Sequence, residues 1–263
     1  MATQNFDQLN SLRKYAEMWY SDTDMPQEKK RKRIDLCMEY ADLMLLLFLM
    51  ITEQELEDEY YISFLTERLK IIAENYIGTE DLAYVNDWSK KQAKKIVEDT
   101  NKLYEAELDD YRETEAEEGE KKKAAEKEQA DRDREESDKE KDEAKKKEES
   151  NVIHFEEFGV DIPKDEYPLS ELRACLIAIE CVTSISNYDD YFQAYREGRH
   201  HKVWQCGFFK KSRETHQEAH GQDTNIDKPF YVGNSMLTFP GDLTYNPEMK
   251  EIYGCKCWCE YYK

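Results

Sequence analysis

The segment KVWQCGFF (202–209) decides the fold, because it marks the point where a helical sequence pattern gives way to a strand pattern. It is short, aromatic and β-branched, and PFYVG (229–233) has the same character. Turn signals follow at GNSM (233–236), PGD (240–242) and YNPE (245–248). We therefore expect short, irregular strands at the C-terminal end of the chain, in a small α+β domain.

Two helices are predicted immediately before these strands. Ser170 is a reasonable N-cap for the first, and Leu172, Cys175, Ile179 and Val182 fall on one face of it. The second, NYDDYFQAYREG (187–198), would end at its glycine. With the strands, these helices complete a predicted C-terminal domain over residues 151–263.

Residues 1–104 have the pattern of a helical region. Apolar side chains recur every three or four residues, and Gly78 is a plausible helix stop. One such stripe comprises Ile62, Leu65, Leu69, Ile72 and Tyr76, and a second comprises Ala93, Ile96, Val97, Thr100 and Leu103. We expect a bundle of three or four helices, which we interpret as a docking region.

A charged spacer is predicted between these two parts, over residues 105–150. The stretch from 115 to 150 has no aromatic residue and almost nothing to bury, so it cannot offset its own chain entropy. Good helix formers of alternating sign are compatible both with a solvated or coiled-coil helix and with a disordered linker. A fully helical spacer would reach about 70 Å at 1.5 Å per residue.

Composition limits the classes of function. The formal net charge of -21 makes the chain as a whole a poor binder of polyanions. The longest apolar run, LMLLLFLMI (43–51), is about half of what a membrane-spanning helix needs, so we expect a core helix and no membrane partner. The seven cysteines and the absence of an export signal predict free thiols in a reducing compartment.

An ordered series of short motifs runs through residues 170–263. It comprises a helix with Glu180, then HKVW (201–204), SRETH (212–216), KPFYVG (228–233), FPGD (239–242) and GCKC (254–257). Six elements in this order resemble the C-terminal domain of the Mu F-like minor head proteins of tailed phages, also called head-morphogenesis proteins. The resemblance implies structural motif positions at Trp204, Gly221, Pro229, Phe230, Gly233, Pro240, Gly241 and Asp242.

The resemblance also implies a function. The expected protein is a non-enzymatic virion component of the head or neck, assembled in the host cytoplasm, with the portal or major capsid protein as partner. It would act in head morphogenesis, DNA packaging or ejection, and an oligomer is compatible with that role. Two alternatives stay open: a zinc-dependent nuclease or toxin-like effector that uses His216 and the terminal cysteines, and a generic acidic adaptor or scaffold.

The C-terminal cysteines are candidate metal ligands. Thiolate and imidazole are the usual ligands of zinc, and a Cys-x-Cys pair can place two sulfurs on one cation. The candidate zinc ligands are His216, His220, Cys255, Cys257 and Cys259. Packing of the thiols as small buried hydrophobic groups, and an oxidised or redox role, are the alternatives.

A local basic segment is the candidate nucleic-acid contact. Residues 195–213 hold six basic side chains interleaved with aromatic residues, a composition that can meet phosphates and stack on bases. The six are Arg196, Arg199, Lys202, Lys210, Lys211 and Arg213. The alternative is an ordinary strand pair with a solvated basic face.

For Arg213 and His216 we favour hydrogen bonds to loop carbonyls and to Asp242 over a catalytic role.

Overall fold

The chain has an α+β fold, as the sequence predicted. A computed structural model describes residues 2–103 except 55 and 81, residues 152–164 except 156–159, and residues 166–263 except 208–211, with side chains from residue 11 onward. Its helices are α1 (Ala2–Ser21), α2 (Gln27–Glu53), α3 (Asp58–Ile77), α4 (83–103), α5 (Glu171–Arg196) and α6 (Glu214–Ala219), with single 3-10 turns at Tyr167–Leu169 and Met249–Glu251.

The strands form three small antiparallel sheets. In order, they are β1 (Val152–Phe155), β2 (Val160–Pro163), β3 (His201–Gln205), β4 (Asp223–Asn225), β5 (Phe230–Val232), β6 (Ser235–Leu237) and β7 (Trp258–Tyr262). Strand β3 lies between β4 and β7, whereas β1–β2 and β5–β6 are separate hairpins. The last strand of the chain therefore pairs with β3, with His201 opposite Tyr262 and Gln205 opposite Trp258.

The described residues divide into two compact units. The first contains residues 1–97 together with 171–263, and the second contains residues 98–170. In the second unit, His154 Nδ1 lies 2.8 Å from Asp161 Oδ1 across the β1–β2 hairpin. The predicted role of residues 1–104 as a docking region stays a prediction, and the predicted spacer, 105–150, lies outside the described residues.

Helices α2 and α5 form the centre of the first unit, and α1 packs against both. The buried face of α2 repeats every three or four residues, as an amphipathic helix requires. This face comprises Lys30, Arg33, Cys37, Tyr40, Met44 and Leu47. In the apolar run 43–51, Leu43, Met44, Leu47 and Phe48 are buried, whereas Leu46 and Leu49 are about half exposed.

One long helix replaces the two that were predicted after Ser170. Helix α5 is continuous over 26 residues, so the expected break before Asn187 is wrong. The reason is local, since no glycine or proline interrupts residues 171–196. Nearly every side of α5 is buried from Leu172 to Tyr188, which makes it the core helix around which the rest of the unit is arranged.

The predicted helices of the N-terminal region are confirmed in position. Gly78 ends α3 in a left-handed conformation, and its N–H donates to the carbonyl of Glu74. Leu65 and Leu69 of the predicted stripe of α3 are buried. Tyr61, Ala73 and Ile77 face the core in place of Ile62, Ile72 and Tyr76. Among the described residues, no helix is long and apolar enough to span a membrane.

Candidate metal centre

Three of the predicted ligands meet at one point in the first unit. Nδ1 of His216 lies 3.4 Å from Sγ of Cys257 and 3.7 Å from Sγ of Cys255. All three ligand atoms lie within 4.8 Å of one another, and each residue is at most 3% exposed. This buried group can hold a metal ion.

Local structure fixes each ligand. Helix α6 carries His216, and the Cys-x-Cys segment precedes β7. Two side chains of helix α5 bind backbone carbonyls of that segment. Thr183 Oγ1 donates to the carbonyl of Cys255 at 3.0 Å, and Asn187 Nδ2 donates to the carbonyl of Cys257 at 3.2 Å. The sulfurs are therefore positioned before any ion binds.

The far side of the imidazole faces a carboxylate. Nε2 of His216 lies 3.1 Å from Oε2 of Glu251, at an angle outside the hydrogen-bond range, so Glu251 acts on the ring mainly through its charge. Thr215 Oγ1 donates to the same carboxylate oxygen at 2.7 Å. A carboxylate behind a ligating histidine orients the ring and increases its basicity. Sequence reasoning missed Glu251, because a lone glutamate in a turn carries no motif.

The environment favours one ionised thiol in this group. A hydrogen bond from Cys257 and the adjacent His216 ring hold the pKa of Cys255 well below its usual range, whereas burial raises the pKa of Cys257. Burial is the largest single effect and lowers the pKa of His216, but the charge and hydrogen bond of Cys255 and the charge of Glu251 together outweigh it, so the pKa is raised overall. An imidazole and an ionised thiol in a buried site are the donors that a soft divalent cation prefers.

The other two predicted ligands lie outside this group. His220 is exposed, and its Nδ1 accepts the backbone N–H of Cys206 at 3.2 Å. Cys259 is buried in β7 opposite Trp204, and burial raises its pKa to about 12. All seven cysteines are free and buried. One of them, Cys206, was not among the predicted ligands, and the Cys257 thiol helps to lower its pKa to about 7.

The described basic residues of the candidate nucleic-acid segment differ in their exposure. Lys202 is fully buried, donates from Nζ to the carbonyl of Thr238 at 2.7 Å and is therefore removed from any contact with phosphate. Arg199 pairs with Glu197, and Arg196 is exposed beside the ring of Phe192. The predicted contacts Lys210 and Lys211 lie outside the described residues. Contact with DNA stays a prediction.

Arg213 has the structural role that we favoured. Its Nη2 donates to the carbonyl of Tyr253, in the loop before the Cys-x-Cys segment. Asp242 is bound by other groups, because its carboxylate accepts from the N–H of Thr238 and from the N–H and hydroxyl of Thr244. His216 faces the two thiols and Glu251.

Five of the eight motif residues are buried in the first unit: Trp204, Phe230, Pro240, Gly241 and Asp242. Trp204 and Phe230 are fully buried and meet edge to face, with ring centroids 5.3 Å apart. The edge of His216 also meets Trp204, at 5.8 Å. Gly221 has a positive φ and donates its N–H to the carbonyl of Trp204, while Pro240 accepts from the side chain of Asn187. Pro229 precedes β5 and is partly buried.

Two glycines of the motif allow close approach. At Gly241, φ is +85°, and an added Cβ would lie 2.9 Å from backbone atoms of Ser184 in α5. At Gly233, φ is +55°, and an added Cβ would lie 3.0 Å from Oε1 of Glu251. The first glycine lets the Pro-Gly-Asp turn contact the central helix, and the second leaves room for the carboxylate behind His216.

Comparisons of this chain with protein-family models, curated proteins and solved structures found no match.

Proposed function

We propose that this chain is a minor head protein of a tailed phage, acting in head morphogenesis as a tether rather than as a catalyst. It would link the portal or the major capsid protein to another component during DNA packaging or ejection. Its place would be the head or neck of the virion, after assembly in the host cytoplasm. The motif series in residues 201–257 is the basis of this proposal.

The observation that carries the proposal is the use of the motif residues inside the fold. Trp204, Phe230 and Asp242 are fully buried, and Gly241 fits directly against α5. Side chains that pack in the interior and form hydrogen bonds to the backbone are typical of a structural role, and this supports the proposal. A catalytic site would instead expose such side chains to a substrate.

A structural zinc ion is the finer part of the proposal. With Zn–S near 2.3 Å and Zn–N near 2.0–2.1 Å, a tetrahedral site places sulfur and nitrogen about 3.6 Å apart. The two distances from His216 Nδ1 to the sulfurs of Cys257 and Cys255, 3.4 and 3.7 Å, bracket this value. The ion would join α6 to the segment before β7. Near-complete burial of the three ligands favours a structural site over one that admits substrate.

The metalloenzyme alternative also has an observation in its favour. Three protein ligands and one open position are the usual pattern of catalytic zinc, and the group contains His216, Cys255 and Cys257. A zinc-dependent nuclease or toxin-like effector would therefore need water in the fourth position. The fourth ligand decides between the two roles.

The head-protein role is tested in particles of the phage that encodes the chain. Quantitative mass spectrometry of purified particles should find the protein in few copies relative to the major capsid protein. Deleting its gene should give defective heads in electron micrographs, and the wild-type gene supplied in trans should restore them. Normal infectious particles that lack the protein would contradict the proposal.

Deletion of residues 170–263 distinguishes the tether from an acidic adaptor. The adaptor would still bind its partner, whereas heads would no longer assemble if the chain is the proposed tether.

The zinc proposal is tested separately by metal analysis. Protein purified under reducing conditions without a His tag should carry one zinc per chain, measured by mass spectrometry. The Cys255→Ser/Cys257→Ser variant should lose it, and Cys259→Ser should keep it. Well-folded protein without metal would show that these thiols only fill space, and would leave the head role to be judged by the particle experiment.

A further inference from the structure

The β3–β7 register, extended by one step beyond its last pair, places Cys206 across from Cys257. The antiparallel register pairs His201 with Tyr262 and continues to Gln205 opposite Trp258. The next pair in this register is Cys206 with Cys257. Side chains that face each other across an antiparallel ladder have Cβ atoms about 4.5–5.5 Å apart, which is within reach of a shared cation.

The contacts of Cys206 agree with this register. The Cys257 thiol helps to lower the pKa of the Cys206 thiol, and the residue is 2% exposed. Its sulfur lies outside the three donor atoms that are within 4.8 Å of one another, so its side chain would have to move to complete the site. Its backbone N–H is bonded to His220, which fixes the main chain at this point. The sulfur also contacts the hydroxyl of Ser212 at 3.6 Å and the carbonyl of Gly207 at 4.0 Å. Cys206 is thus a buried thiol beside the group of His216, Cys255 and Cys257. It has no ring contact of the kind that holds Trp204 in the interior.

We propose that Cys206 is the fourth ligand of a closed Cys₃His zinc site, together with His216, Cys255 and Cys257. This inference rests on the structural zinc that we proposed above. The four donors come from the end of β3, from α6 and from the segment before β7. One ion would therefore fasten the short helix to both strands of the ladder.

A fourth protein ligand changes the chemistry of the site. With four donors the tetrahedral coordination is complete, so no position is left for a water nucleophile or a substrate. The three thiols bind as thiolates, and their protons pass to the solvent when zinc enters. Three thiolates and one dication carry a net charge of -1, and Arg213, which acts electrostatically on His216, lies near enough to offset it.

The test is X-ray absorption at the zinc edge of the full-length, reduced protein. The wild type should show three sulfurs and one nitrogen around each zinc. The Cys206→Ser variant should show two sulfurs and should bind zinc at least about 100-fold more weakly, more than loss of an outer-shell partner causes. The matched control is Cys259→Ser, which removes another buried thiol of the same region and should keep three sulfurs.

Each other outcome overturns the inference. Two sulfurs and an oxygen in the wild type would leave the site open and favour the metalloenzyme. If the sulfur count falls in Cys259→Ser and not in Cys206→Ser, the fourth ligand is Cys259 and the inference is wrong. If the protein contains no zinc, the structural zinc proposal is wrong as well as this inference. The measured ratio of zinc to protein shows whether this is so. If Cys206→Ser fails to fold, three sulfurs in both the wild type and Cys259→Ser support Cys206, and two sulfurs in either protein overturn the inference.

Discussion

Arg33 of α2 and Asn187 of α5 are joined by a 2.8 Å hydrogen bond from Nη2 to Oδ1, in a site where both residues are fully buried. The amide of Asn187 also lies within hydrogen-bond distance of the carbonyls of Pro240 and Cys257. A single side chain thus connects the N-terminal helices, the Pro-Gly-Asp turn and the Cys-x-Cys segment.

Replacement of Asn187 by alanine should reduce the free energy of unfolding by about 3–5 kcal/mol, because it removes a partner of the buried Arg33 charge and frees two loop carbonyls. Urea titration measures the loss. The matched control is Asn234→Ala, since Asn234 is exposed and its side chain donates to the exposed carboxylate of Glu248. In a double-mutant cycle with Arg33→Met, the two losses should be less than additive. Additive losses would show that the two residues are not coupled.

Gly241→Ala should be strongly destabilising, by more than the ~1 kcal/mol that a positive φ alone costs an alanine. The added Cβ would meet backbone atoms of Ser184 at 2.9 Å, and a helix backbone cannot move aside as a flexible side chain can. Gly198→Ala is the matched control, because φ is +67° there and an added Cβ meets no atom within 4 Å. Equal losses in the two variants, measured by thermal unfolding, would show that the turn does not need close approach to α5.

Sequence reasoning identified the features that depend on local pattern. The helix stop at Gly78 follows from the left-handed conformation that glycine adopts readily. The α+β class follows from the change of periodicity at residue 202. His216, Cys255 and Cys257 were named because their donor atoms are typical of zinc. Their meeting at one point is a property of the fold.

Other parts of the fold and of the site depend on tertiary contacts that no local pattern encodes. Cys206 became a candidate only when β7 was seen to pair with β3, about 50 residues earlier in the chain. Lys202 looked like a surface cation, but the register turns it inward beneath Phe230. The continuity of α5 was missed because polar residues such as Asn187 are typical of a helix end, although Asn187 is buried and bonded within the helix.

Glu251→Gln should weaken zinc binding by about 10–100-fold, because the charge behind the ligating His216 ring is lost while the shape of the side chain is kept. Competition with a chromophoric chelator measures the affinity. Glu248→Gln is the control, since Glu248 precedes the same 3-10 turn but pairs with exposed Lys250. Unchanged affinity in Glu251→Gln would show that the carboxylate does not support the ligand.

Lys202 should make the stability of the protein depend on pH in the alkaline range. Burial lowers its pKa to about 8 in the folded chain, whereas an unfolded lysine titrates near 10.4. Between these values the unfolded chain binds more protons at this position than the folded chain, so its contribution to stability rises with pH. Below pH 8 both states carry the proton, and the burial penalty is constant.

The Lys202→Met variant removes this titration. The difference in unfolding free energy, wild type minus variant, should therefore increase by about 2 kcal/mol between pH 8 and pH 10.4. Urea titrations at several pH values measure it, and titration of the other groups, common to both proteins, cancels in the difference. Lys228→Met is the control, because Lys228 is exposed and its removal should leave the pH dependence unchanged. A difference that stays flat for Lys202→Met would mean that the buried ammonium keeps its proton, held by the carbonyl of Thr238 and the ring of Phe230.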